Sequence, residues 1–273
     1  MRSRGQKVAL HLLLVAGAGV ALLPMVWMVA ASLMPPGEAN TYPPRLLPGA
    51  ITFEHYRTLF TRLDVGRYLL NSTTIALSVT TISLLLNSMA GYAFAKLRFR
   101  GRDRLFRLLA TGLVIPVQVS MLPLFLLLRE LGLINSAWGV IIPGLASIFG
   151  IFLIRQYTLA IPDDLIDAAR IDGAGEFRIF WSIILPVIRP VLATLAIWTF
   201  IGTWNDFMWP LIVLSDDARF TLPVALANLS GERVQDSELM MAGAVLTVLP
   251  VMLVFIALQR AYVEGIVRGS VKG

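Results

Sequence analysis

The chain has 273 residues, of which 57% are hydrophobic and only 15% charged, with a mean hydropathy of +0.75 and a net charge of +6. Soluble domains carry about 25% charge. Here the deficit falls in long uncharged runs, which excludes an ordinary soluble fold and places the chain among membrane proteins. The chain has no cysteine, which removes disulfides, thiolate catalysis and cysteine metal sites.

A bilayer core of about 30 Å takes roughly 20 apolar residues in a helix, and six stretches reach that length. Arg2, Arg4 and Lys7 precede the first, 9–33. Its apolar run is longer than the roughly 7–15 residues of a signal peptide core, so it is expected to be a retained helix. A proline-rich connector, 34–67, follows, with Pro35, Pro36, Pro43, Pro44 and Pro48. The second span is 69–95. The third, 105–128, holds Gln118 between Pro116 and Pro123, which loosen its backbone. The fourth is 137–157. The polar stretch 161–182 separates it from the fifth, 183–214, which is interrupted by Pro186, Pro190 and Pro210. An acidic connector, 215–238, leads to the sixth span, 239–262. The runs are continuously apolar rather than alternating, so the expected fold is an all-α membrane protein of six transmembrane helices, not a barrel. No internal repeat or second domain is evident, and 1–273 reads as one transmembrane domain.

Charge sets the expected orientation. With the N-terminus inside, 16 of the 23 lysines and arginines fall on the inner side, including all six from Lys96 to Arg107. Both termini and the stretch 161–182 are then cytoplasmic, and 34–67 and 215–238 face outward. The basic residues sit where they orient a membrane protein, so nucleic acid is not an expected partner.

The stretch 161–182 has an order that lipid alone does not require. Pro162 with Asp163 and Asp164 suits the first turn of a helix, where carboxylates meet the positive end of the dipole. Ile166, Ala169 and Arg170 recur at helical spacing and give one apolar edge. Ala168 and Ala169 are small enough for a partner surface to approach the backbone. Gly173 permits a left-handed turn that ends the helix. Phe177, Phe180 and Trp181 lead back to the membrane interface. These features describe a short helix lying along the membrane and offered to the cytosol, or equally one that merely joins two spans.

Asp167-Ala168-Ala169, then Asp172-Gly173, then Ile184-Leu185-Pro186 resembles the EAA loop of ABC importer permeases. The departure is Asp167, where that family usually has Glu; the charge is kept and the reach shortens by one methylene. Further pieces narrow the resemblance: Asn71-Ser72, the run Tyr92-Ala93-Phe94-Ala95-Lys96, Trp204-Asn205-Asp206-Phe207, Thr221-Leu222-Pro223 and the Gly269–Gly273 tail. Together they are similar to the smaller six-helix permease of carbohydrate importers of the maltose type. The resemblance implies a cytoplasmic coupling helix whose positions Asp167, Ala168, Ala169, Asp172 and Gly173 dock on an ATPase. It implies a second permease subunit, two cytoplasmic ABC ATPase subunits and an extracytoplasmic solute-binding protein as partners. It also implies location in the bacterial or archaeal cytoplasmic membrane.

No nucleotide site is expected on this chain. A phosphate-binding loop needs Gly-Lys-Ser or Gly-Lys-Thr, and the only lysines are Lys7, Lys96 and Lys272. ATP and Mg are therefore expected on the partner ATPase, and no cofactor or metal on this chain. Its two histidines, His11 and His55, are far apart in sequence and do not suggest a zinc site. Polar residues within spans are costly and often line a path; Asn87, Gln118, Asn205 and Asp206 are the candidates for a pathway or gate. For Asn87 and Gln118 an interhelical hydrogen bond is the plainer alternative. A stand-alone secondary transporter would need inverted repeats and mid-membrane ionisable groups, and a membrane enzyme a cluster of acid and base groups; neither pattern is evident.

Overall fold

The computed structural model describes residues 4–232 and 236–270, and among them every regular element is helical. In chain order the helices are α1 (Arg4–Ala31), α2 (Glu54–Thr61), α3 (Val65–Lys96), α4 (Arg102–Thr111), α5 (Val117–Glu130), α6 (Ala137–Gly144) and α7 (Ile148–Leu159). There follow α8 (Asp163–Ile171), α9 (Glu176–Ile179), a π-helical turn (Phe180–Ile184), α10 (Leu185–Val187), α11 (Arg189–Trp204), α12 (Met208–Val213), α13 (Leu222–Glu232) and α14 (Ser237–Ser270). Four stretches are long and apolar enough to cross a membrane: Gly5–Ala31, Val65–Lys96, Ala137–Leu159 and Ser237–Gln259. Two bent pairs bring the total to six if each pair is one crossing.

The bends correct two expected spans. The third, 105–128, is not one rod: Arg102–Val114 and Val117–Glu130 meet at 106°. Ile115 is extended (ψ 118°) because the ring of Pro116 excludes the helical region for the residue before it. The fifth, 183–214, is likewise broken: Glu176–Val187 and Arg189–Trp204 meet at 79° at Ile188. Pro186 and Pro190 each lack a donor for the preceding turn, and the π-helical turn before Pro186 accommodates the missing bond. The helix then ends at Trp204. Asp206 accepts the Trp209 N–H at 3.3 Å and helps to open α12 as a separate turn.

The chain divides into two compact units. One comprises the residues up to Gly66 together with Ala225–Pro250. Ala31, Met34 and Ala39 pack there with Trp27 and Met241. The buried Glu238 carboxylate accepts the Ala39 N–H at 2.7 Å, and the buried His55 ring bonds the Met34 carbonyl at 2.9 Å. These contacts order the proline-rich connector, which the sequence presented as a plain loop. Most of α1 is exposed apolar surface, as expected of a helix meant for lipid or another subunit rather than for water.

The other unit is built around α3. At 32 residues it extends about 48 Å, longer than a bilayer core, and no proline interrupts it. Near its far end Gly91 lets α7 approach closely; a Cβ there would lie 2.5 Å from Ile154 Cγ2. Midway, the buried Asn87 amide donates to Ser83 Oγ at 2.7 Å and accepts the Ser147 N–H at 3.1 Å, tying α3 to the start of α7. At the other end Asn71 Nδ2 donates to the carbonyls of Ala218 and Phe220, each at 3.0 Å, and Ser72 Oγ accepts the Leu222 N–H at 2.8 Å. The same segment is held from a second side by Asn135, which accepts the N–H groups of Ser215 and Asp216 at 3.1 Å.

Candidate coupling site

α8 forms where the sequence places it. Pro162 takes an extended conformation before the first turn, Asp163 and Asp164 occupy that turn, and Arg170 lies in the last. Ile166 is the only fully buried residue of the helix and inserts into a core of Tyr92, Ile154, Ile179, Ile184 and Ile188. Ala169 packs against the same core. Gly173 ends the helix at φ 80°. Its N–H bonds the Arg170 carbonyl at 3.0 Å while the Ala174 N–H reaches the Ala169 carbonyl at 2.9 Å, the paired bonds of a Schellman turn.

The opposite edge is exposed. Asp167, Ala168, Asp172 and Gly173 all lie on the surface, and Ile171 is 87% exposed. Leu165 is exposed as well. The two alanines therefore part company, Ala168 facing out and Ala169 facing in. Leu165, Ala168 and Ile171 recur every third residue and form an outward apolar strip between Asp164 and Asp172. The sequence reading missed Leu165 and Ile171, although their spacing shows a helix apolar on two sides.

Both ends of α8 are fixed to the last turns of α3. Lys96, its side chain only 6% exposed, donates through Nζ to the Ile161 carbonyl at 2.5 Å and to Asp163 Oδ1 at 2.6 Å. At the other end Arg170 donates to Asp167 Oδ1 and to Glu176 Oε1, each at 2.9 Å, and the Tyr92 hydroxyl donates to Glu176 Oε2. Tyr92, Lys96 and Glu176 were not among the expected site residues.

The hydrogen bond from Lys96, reinforced by its charge, holds the Asp163 carboxyl below the usual carboxylate range. A carboxyl depressed on folding stabilises above its unfolded value, about 3.9, and loses that contribution as the pH falls through the folded value. The start of α8 is therefore expected to stay fixed between about pH 5 and about pH 8, and to loosen only below about 3.9. Amide exchange of residues 163–167 across that range measures it.

The four polar pathway candidates lie apart from α8. Asn87 spends its amide within α3 and on Ser147. Gln118 is exposed on the first turn of α5, just beyond the 106° bend. Asn205 is the exposed C-cap of α11, and the half-buried Asp206 caps α12. No hydrogen bond among the described residues joins any two of them.

Residues 68–268, from the first turns of α3 through α8 and into α14, match the family described as binding-protein-dependent transport system inner membrane component. The chain belongs to that family. It is 38% identical over 261 residues to the arabinooligosaccharides transport system permease protein AraQ of Halalkalibacterium halodurans, covering 94% of this chain and 93% of that one. It is 34% identical to the lactose transport system permease protein LacG of Rhizobium radiobacter, covering 100% and 98%. The fold matches a chain in the crystal structure of a bacterial ABC transporter involved in the import of the acidic polysaccharide alginate. The TM-score is 0.82 at 26% identity, over 96% of this chain and 99% of that chain. The permease family expected from the Asp167–Gly173 loop is thus the one to which this chain belongs, and the loop lies within the matched region.

Proposed function

We propose that this permease is the carbohydrate-class membrane subunit of an ATP-driven importer, working with a second permease subunit and two cytoplasmic ABC ATPases. An extracytoplasmic binding protein delivers a sugar or sugar-like solute to its outer side. Both termini and α8 are cytoplasmic, a placement that the excess of lysine and arginine at those ends supports. ATP and Mg bind the partner ATPases. The reading is carried by α8: a short helix anchored by Ile166, tethered at both ends, and offering Asp167, Ala168, Asp172 and Gly173 to the surface. Such a helix conveys a push or pull from a docked partner to the spans rather than yielding to it. The solute class is supported by the oligosaccharide and lactose permeases that the chain resembles. Gln118 and Asn205, exposed beside backbone breaks, are the better pathway or gate candidates, with Asp206 following Asn205 in the chain. Asn87 serves helix packing.

Affinity purification of the chain in mild detergent tests this reading. Recovery of an ABC ATPase together with a second permease is the expected result. Recovery of this chain alone, with solute transport driven by an ion gradient in liposomes, overturns it.

A further inference from the structure

We propose that α3 is a strut latched at both ends, which carries the coupling stroke between α8 on one face of the membrane and the segment 218–222 on the other. The proposal rests on the reading of α8 as the ATPase dock. Three observations carry it.

First, α3 is continuous. Two other crossings in the same unit are bent, by 106° between α4 and α5 and by 79° at Ile188. A bend can absorb a displacement, whereas an unbroken packed helix passes it on.

Second, the inner latch grips α8 at two points. Tyr92 and Lys96 are one turn apart and so share a face of α3. Lys96 holds the start of α8 through Ile161 and Asp163; Tyr92 holds its end through Glu176 and Arg170. Two separated points resist pivoting as well as sliding. The bonds from Lys96 and Arg170 are charge-assisted, the stronger kind.

Third, the outer latch is equally specific. Asn71 grips the carbonyls of Ala218 and Phe220, and Ser72, 3% exposed, takes the Leu222 N–H. From Asn71 to Lys96 is about 37 Å of helix. Asn71-Ser72 and Tyr92 to Lys96 are therefore the two ends of one device, and Thr221-Leu222 belongs to the part it holds.

The test uses the assembled transporter in proteoliposomes with its binding protein. Lys96→Gln with Tyr92→Phe cuts both points of the inner latch; Asn71→Ala with Ser72→Ala cuts the outer; a third variant carries all four changes. Two quantities are read, retention of the ATPase subunits and the stimulation of ATP hydrolysis by the binding protein. Each cut is expected to keep the ATPases and to lower stimulation by roughly tenfold, the scale of a lost charge-assisted or buried hydrogen bond. Residues this far apart ordinarily act additively. In a strut the second cut adds nothing, so the combined variant should match the weaker parent. Lys96→Arg should restore most of the stimulation. If Lys96→Gln prevents assembly, Asp163→Ala takes its place and removes the acceptor at that point while leaving Lys96 on the Ile161 carbonyl. Stimulation unchanged with ATPases retained, or a combined loss equal to the product of the two separate losses, overturns the strut alone. An unaltered transporter that contains no ATPase overturns the functional reading, and the strut with it.

Discussion

Replacing Gly173 with valine should abolish binding-protein-stimulated ATP hydrolysis and transport, while asparagine at the same position should leave both near the unaltered level. The position sits at φ 80°, and a Cβ built there meets nothing within 4 Å. Within this chain the defect therefore comes from the backbone and not from a clash. A left-handed conformation costs an ordinary L-residue about 1–2 kcal/mol, and a β-branched side chain more. Relaxing the turn also breaks the bonds from Gly173 to Arg170 and from Ala174 to Ala169, each worth about 0.5–1.5 kcal/mol net. The released carbonyls are those of the last turn of α8, beside Arg170 and its bonds to Asp167 and Glu176. The expected order of activity is glycine, asparagine, alanine, valine, following their tolerance of that conformation. Stimulated hydrolysis in proteoliposomes measures it, and amide exchange over residues 163–174 should loosen in the same order. Valine as active as asparagine would show that this turn is not needed for coupling.

The second large effect separates two adjacent alanines. Ala168→Trp should remove the ATPases from the purified complex without weakening the chain itself. Ala168 is exposed, and surface changes usually stay within about 0.5 kcal/mol of neutral. A bulky ring at the centre of a docking edge, by contrast, forfeits contacts that commonly exceed about 2 kcal/mol, or roughly thirtyfold in affinity. Ala169→Trp should do the reverse in origin. Ala169 packs against the core around Ile166, and forcing a large side chain into such a site costs about 1–3 kcal/mol. Its signature is a lower melting temperature of the isolated chain in detergent. Full ATPase recovery with Ala168→Trp would mean that the outward edge of α8 is not the dock.

Much of this arrangement was legible in the sequence because its causes are local. Pro162 and the acidic pair start α8, the spacing of Ile166 and Ala169 buries one side, and Gly173 closes the turn; each depends on residues within one or two turns. Long apolar runs likewise revealed α1, α3 and α14. What could not be read depends on direction or on distant partners. Average hydropathy is the same on both sides of Pro116, so 105–128 looked like a straight span although the chain turns by 106° there. The ring of Pro116 was visible; the angle it produces depends on what each half packs against. Lys96 looked like one more charge setting orientation, because Asp163, its partner, is 67 residues away in sequence. Tyr92 and Glu176 were hidden for the same reason, at a separation of 84.

The bend between α4 and α5 has a consequence for what surrounds the protein. The 14 residues of α5 reach only about 21 Å, and α4 is shorter still, so neither half crosses a 30 Å hydrocarbon core alone. When the pair makes one crossing, the helix-end N–H and C=O groups that the break at Ile115–Pro116 leaves without an intrahelical partner lie within the bilayer's thickness. Acyl chains offer them no hydrogen bonds, and irregular backbone persists at that depth only against protein or water. The perimeter around Val114, Ile115 and Val117, bare on this chain, is therefore a stretch that lipid does not wet, and Gln118 stands at its edge.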